Sequence, residues 1–147
     1  MGPCVFALVV VFSCLALVGT QGVVGGNANA AEQELNESLR DEIAAVIRGL
    51  EQGKHTESRV VERWGPAGIP ILAEYTGHES RKVRPSVYSY LWLLGLNEKR
   101  PEPRQYVVRL LALALGEQEN NQEHIGKKLL DFKRGDFSDE AKNTIRA

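Results

Sequence analysis

The chain has little with which to perform chemistry. It holds two cysteines, Cys4 and Cys14, and both fall within the first 31 residues, so a chain cut beyond that segment has no disulfide framework, no thiolate metal site and no cysteine nucleophile. Charge is missing from the same segment: every Asp, Glu, Lys and Arg lies at or beyond Glu32. A formal net charge of -1 excludes the broad basic surface that nucleic acid or anionic lipid requires, and nucleic acid is not an expected partner. There is no Gly-rich phosphate loop and no Gly-x-Ser-x-Gly nucleophile elbow. His55, His78 and His124 stand far apart, none with a second ligand at metal-binding spacing. "HESRK" opens like the zinc-protease signature but has Lys82 where the second His is needed. The carboxylates are interleaved with basic residues, as in "EKRPEPR", which is the pattern of solvated helix faces. No catalytic, metal-binding or cofactor-binding residue is assigned, no cofactor is expected, and the chain reads as a non-enzyme.

What is present begins with the apolar run Cys4–Val18, "CVFALVVVFSCLALV", which has the length of a signal-peptide core and is short of a membrane span of about 20 residues. Residues 1–30 are therefore expected to be a signal peptide and a flexible lead-in, with cleavage at "TQG" (Thr20–Gly22) or "ANA" (Ala28–Ala30), and residues 31–147 a single helical domain in a secreted or periplasmic protein. Because no Lys or Arg precedes the apolar run, the alternative is a leader retained as a membrane anchor through residues 4–18. "NES" at Asn36 forms a glycosylation sequon.

The rest reads as helices, with no strand-like alternation. "SLRD" (Ser38–Asp41) predicts a capping box opening a first helix with Leu39, Ile43, Val46, Ile47 and Leu50 on one side and Gly53 as its stop. A second, short helix is expected between a Thr56 cap and Gly65, and a third over Ile69–Tyr75, with Pro70 in its first turn and Gly77 after it. Ser80 is the expected cap of a fourth, with Val83, Val87, Leu91 and Leu94 inward and Gly95 ending it. "NEKRPEP" (Asn97–Pro103) reads as a polar connection. "YVVRLLALAL" (Tyr106–Leu115) is nearly apolar all round and is expected to be the most buried helix. A helix using Ile125, Leu129, Leu130 and Phe132 follows, and Ser138 caps a last one.

The stretch "WGPAGIPILAEYTGHESRKVRPSVYSYLWLLG" resembles one unit of the HEAT repeat family in its bacterial HEAT-like form. The matching residues are Gly65, Pro66, Ala67, Pro70, Leu72, Val83, Arg84, Leu91, Leu94 and Gly95. The resemblance implies an all-α fold, a short α-solenoid of antiparallel helix pairs, in which Pro70 bends the first helix and Val83–Arg84 open the second. It also implies that Arg84 bonds the acidic turn at Glu79. Since about three pairs are needed for a stable array, Ser38–Trp64 and Gln105–Arg134 are expected to supply the flanking ones.

Within that frame the expected function is an exported scaffold for protein interactions, with a protein or peptide as partner. Tyr88 and Trp92 lie one turn apart on the flank of the fourth helix near Arg81 and Lys82, and aromatic and Arg side chains dominate interface hot spots. The competing reading is that both rings pack against the next helix. Two further alternatives are a bilin-lyase type enzyme, a class in which such repeats also occur, and a membrane-anchored accessory subunit.

Overall fold

The computed structural model describes residues 24–117 and 122–146. The chain divides into two units, residues 1–35 and 36–147. Of the first, the described part from Val24 onward is helical, and the leader Cys4–Val18 lies outside the described residues. All regular structure among the described residues is helical: α1 (Val24–Glu51), α2 (Ser58–Trp64), α3 (Gly68–Ala73), α4 (Val83–Asn97), α5 (Pro101–Glu117), α6 (Gln122–Leu130) and α7 (Asp139–Arg146). Short 3-10 turns occupy Gly65–Ala67 and Arg134–Asp136.

The helix α1 corrects the expected lead-in. It runs unbroken from Val24, so Ser38 and Asp41 sit inside a helix rather than at its start. The reason is local: "AAEQEL" (Ala30–Leu35) consists of residues with high helix propensity, and such a run continues through a sequence that resembles a cap. The other boundaries divide between agreement and correction. Gly65 closes α2 in a left-handed conformation, φ 55°, where its N–H donates to Glu62 O. Thr56 is not the cap of α2; that position is Glu57, with no side-chain bond. Ser80 stands two residues too early to be the N-cap of α4, which is Lys82, but its carbonyl accepts from Val83 N at 3.1 Å and its hydroxyl from Lys82 N at 3.3 Å. Ser138 does cap α7, its Oγ accepting from Ala141 N at 3.2 Å.

Gly95 does not end its helix. α4 continues to Asn97, and Gly95 is buried where α4 meets α5 and the residues after α6. A Cβ there would lie 2.9 Å from Val107 Cγ1 and 3.1 Å from Phe132 Cζ, so the missing side chain sets the approach of the two helices. α5 begins within the expected connection, with Pro101 at its first position, where a missing N–H costs no helical bond.

The compact unit is built around α4 and α5. α4 packs on α2, α3 and α5, and α5 packs in turn on α3, α6 and α7. Val87, Leu91 and Leu94 of α4 join Val107, Val108, Leu111 and Ala112 of α5 in one core, which Ile43, Ile47 and Leu50 of α1 and Ile125 and Leu129 of α6 extend. α5 is not buried on every side: Leu113 is 43% exposed. Leu130 is not a core residue either, at 83% exposure, since the chain turns after α6 and Phe132 fills the core in its place. Polar links tie the helices at the rim. Both guanidinium Nη atoms of Arg40 donate to Glu74 at 2.8 Å, and Arg104 Nη2 donates to Asp136 Oδ2 at 2.7 Å in a pair mostly shielded from water.

Candidate interaction surface

The residues singled out in the sequence separate once the helices pack. Tyr88 belongs to the core: it is 3% exposed and its hydroxyl donates to Thr76 O at 3.3 Å, in the turn after α3. This overturns its place in an exposed aromatic patch. A residue four positions from Arg84 and three from Leu91 shares their inward face once α4 is fixed by α3 on one side and α5 on the other. Arg81 and Lys82 are exposed just before and at the cap of α4. Val83 and Leu91 are fully buried, Pro70 is exposed in the first turns of α3, and Glu79 is exposed. No hydrogen bond joins Arg84 to Glu79 among the described residues, and the buried Nε of Arg84 has no partner there, so the bond implied by the resemblance is not formed. His78 is more engaged than a free loop histidine, since its Nδ1 accepts from Ser80 N at 3.1 Å and its Nε2 lies 3.5 Å from Glu51 Oε1.

Trp92 is half-buried and leads to the most concentrated group of polar side chains around an aromatic ring. Its indole Nε1 donates to Asp131 Oδ2 at 3.0 Å, and Lys128 Nζ stands 4.0 Å above the ring centroid, in cation–π contact. One turn earlier, the Ser89 hydroxyl donates to Pro85 O at 2.9 Å and lies 3.5 Å from His124 Nε2. With the hydroxyl hydrogen spent on Pro85, the ring nitrogen is the donor in that contact. Three side-chain contacts thus stitch α4 to α6 and its C-terminal turn along one seam.

Electrostatics at the seam follow from burial. Lys128 is 8% exposed, and desolvation lowers its pKa below the ordinary lysine value although Asp131 acts in the opposite direction. His124 is also held below its ordinary value, first by desolvation and then by Lys128 and Lys127. The arrangement contains Ser, His and Asp but does not activate a nucleophile. Ser89 directs its proton to a backbone carbonyl rather than to His124, and Asp131 is bonded to the indole rather than to the imidazole. Among the described residues no three His, Cys, Asp or Glu side chains converge as metal ligands. What the seam offers is an ammonium, an imidazole and a hydroxyl bordering an aromatic ring.

Ser89, His124, Lys128 and Asp131 were not found from the sequence, in which "HIGKKLLD" shows only an amphipathic turn. The facing of α6 toward Trp92 is a product of packing. A second surface feature lies between α3 and α5, a shallow apolar depression of about 530 Å³ bordered by Ile69 and Pro70 on one side and Pro103 and Tyr106 on the other.

Comparison with protein-family models, with curated proteins and with solved structures gives no match to this chain.

Proposed function

We propose that the chain is an exported, non-catalytic scaffold for protein interactions, built as a short α-solenoid of antiparallel helix pairs of the HEAT-like kind, with the α4–α6 seam as its contact surface. The observation that carries this reading is the register of the contacts. Within the pair α3 and α4, Gly68 lies against Leu94 while Thr76 lies against Tyr88, so one index falls as the other rises, as antiparallel neighbours require. Between pairs the indices rise together. Ser89 meets His124, 35 positions on, and Trp92 meets Lys128, one position further on again. Arg40 of α1 meets Glu74, just after α3, at a separation of 34. Offsets of 34 to 36 at these contacts, and of 39 between Trp92 and Asp131, fit the stacking of equivalent helices from successive repeats. A period near 35 is shorter than the roughly 40–47 residues of long HEAT units and close to the most compact two-helix repeats.

Such a stack exposes the same face of each successive second helix on one side. Here that side carries the half-buried Trp92 and Ser89 and the exposed His124, a composition suited to protein contacts. The test is site-specific photocrosslinking in the producing host, with a benzoyl-phenylalanine at Lys127, beside the seam, or at Glu62 on α2. A discrete adduct from position 127 and none from 62 is the expected result. Equal labelling from both positions, or no adduct from 127, refutes the proposal.

A further inference from the structure

The turn between α3 and α4 is closed by a histidine bond that only one protonation state of the ring permits. His78 Nδ1 accepts from Ser80 N at 3.1 Å, so the hydrogen of the neutral ring is on Nε2. A side chain that accepts from the amide two residues on is the arrangement of an Asx turn, with an imidazole nitrogen in place of the usual Asn or Asp oxygen. Ser80 is the pivot of this segment. Its carbonyl accepts from Val83 N at 3.1 Å and from Arg84 N at 3.4 Å, and its hydroxyl accepts from Lys82 N. The N-cap residue Lys82 makes no side-chain cap bond, so the start of α4 relies on Ser80. On its other edge the ring meets α1, where Nε2 stands 3.5 Å from Oε1 of Glu51, the last residue of that helix. That separation is long for a neutral N–H···O bond but close enough for an imidazolium and a carboxylate to attract.

We propose that His78 is an acid-sensitive switch between two bonds: neutral, it closes the turn onto Ser80, and protonated, it releases Ser80 and pairs with Glu51 of α1. Protonation puts a hydrogen on Nδ1, and in the imidazolium both nitrogens are donors. Nδ1–H then faces the Ser80 N–H, and two donors cannot share that contact, so the ring and the turn must part. Glu51 gives the ring its direction. The other charged groups around it are carboxylates. Glu51 from α1, Glu74 after α3 and Glu79 in the turn border one polar depression of about 610 Å³ together with His78 and Ser80. Glu74 is committed to Arg40 through two bonds at 2.8 Å, and Glu79 is exposed. Tyr75 brings a ring 6.3 Å away, centroid to centroid, and from α4 the Tyr88 hydroxyl donates to Thr76 O in the same turn. The nearest cations in the chain, Arg81, Lys82 and Arg84, lie beyond Ser80 and do not border the depression. Histidine is the side chain whose ordinary charge change falls between mildly acidic and neutral pH, so acidification of the compartment throws the switch while the apolar core is untouched.

The experiment uses the full chain, labelled with ¹⁵N, and follows the ring nitrogens of His78 and the Ser80 amide by NMR from about pH 8 to about pH 5. The expected result at the alkaline end is the Nε2–H tautomer. As the ring is protonated, solvent exchange of the Ser80 amide, corrected for its intrinsic pH dependence, should become about fivefold faster, which corresponds to the loss of one neutral hydrogen bond. Over the same transition the ring should approach Glu51, seen as stronger cross-relaxation between the ring protons and the methylene protons of residue 51. His78→Asn keeps an acceptor for the Ser80 amide and removes the titrating nitrogen, so the turn should stay closed across the whole range. Glu51→Gln should abolish the approach of the ring and leave the Ser80 response in place. An Nδ1–H tautomer in the neutral protein overturns the proposal, and so does Ser80 protection that is unchanged when the ring is protonated; neither reading needs a variant. An equal loss of protection in His78→Asn, or an undiminished approach in Glu51→Gln, overturns it as well.

Discussion

Replacing Gly95 by Ala tests the helix packing through the sign of its effect. If Gly95 were an indifferent position inside α4, Ala would stabilise the protein by about 1 kcal/mol through helix propensity. The packing gives the opposite result. The new Cβ would stand 2.9 Å from Val107 Cγ1 and 3.1 Å from both Val107 Cβ and Phe132 Cζ, and neither Val107, fully buried and stiff at χ1, nor the backbone of α5 behind it can withdraw cheaply. Overpacking of this kind costs about 1–3 kcal/mol, so the net change is a destabilisation of up to about 2 kcal/mol. The assay is urea unfolding followed by circular dichroism at the helix minimum, with a double-mutant cycle. In a Val107→Ala background the nearest clashing atom is gone, and Gly95→Ala should become neutral or stabilising, a coupling of about 1–3 kcal/mol. Stabilisation by Gly95→Ala in the wild-type background, or no coupling to Val107, would refute the close approach of α4 and α5.

Two other outcomes are open to measurement. Glu98, at the C-cap of α4, is held at about 2 by the Arg100 side chain first and then by the Arg100 backbone N–H, with the Lys99 N–H adding to it, against an ordinary value of 4.5. A carboxylate whose folded pKa is depressed contributes stability that is complete above 4.5 and disappears as pH falls towards 2, so acid should loosen this connection over that window; a carboxyl carbon titration by NMR with a midpoint near 4.5 would contradict the geometry. Expression of the entire chain in an export-competent host should yield a soluble species shortened by about 20 to 30 residues, read as an intact mass; full-length protein in the membrane fraction would replace export by anchoring.

The helical character of the chain was legible because it is written locally. Apolar residues at helical spacing marked Ile43, Ile47 and Leu50, then Val83, Val87, Leu91 and Leu94, and all of these are buried in the compact unit. Gly65 as the end of α2 and Ser138 as the cap of α7 were equally local, since a left-handed φ and a side-chain acceptor for a first-turn amide depend on one or two residues. Where a pattern had two local meanings, the sequence misled. Ser38 and Asp41 look like a helix start but lie within α1 because the residues before them propagate the helix. Gly95 looks like a stop, but its lack of a side chain serves a contact with Val107 and Phe132 that lies outside its own neighbourhood.

The candidate site depended on long-range packing almost entirely. Tyr88 and Trp92 are one turn apart and indistinguishable by periodicity, yet one hydroxyl reaches Thr76 and the other ring borders Asp131 and Lys128. Which flank of α4 meets α3 and which meets α6 is set by the rotation of the helix against its neighbours. The sequence by itself determined that the regular structure of the described residues is helical and which apolar residues recur at helical spacing, because helix propensity and apolar spacing act over a few residues. The tertiary structure alone decided that Lys128 is buried over Trp92 and that Ser89 meets His124, because those contacts join residues 35 or more positions apart and exist only once α4 and α6 are brought side by side.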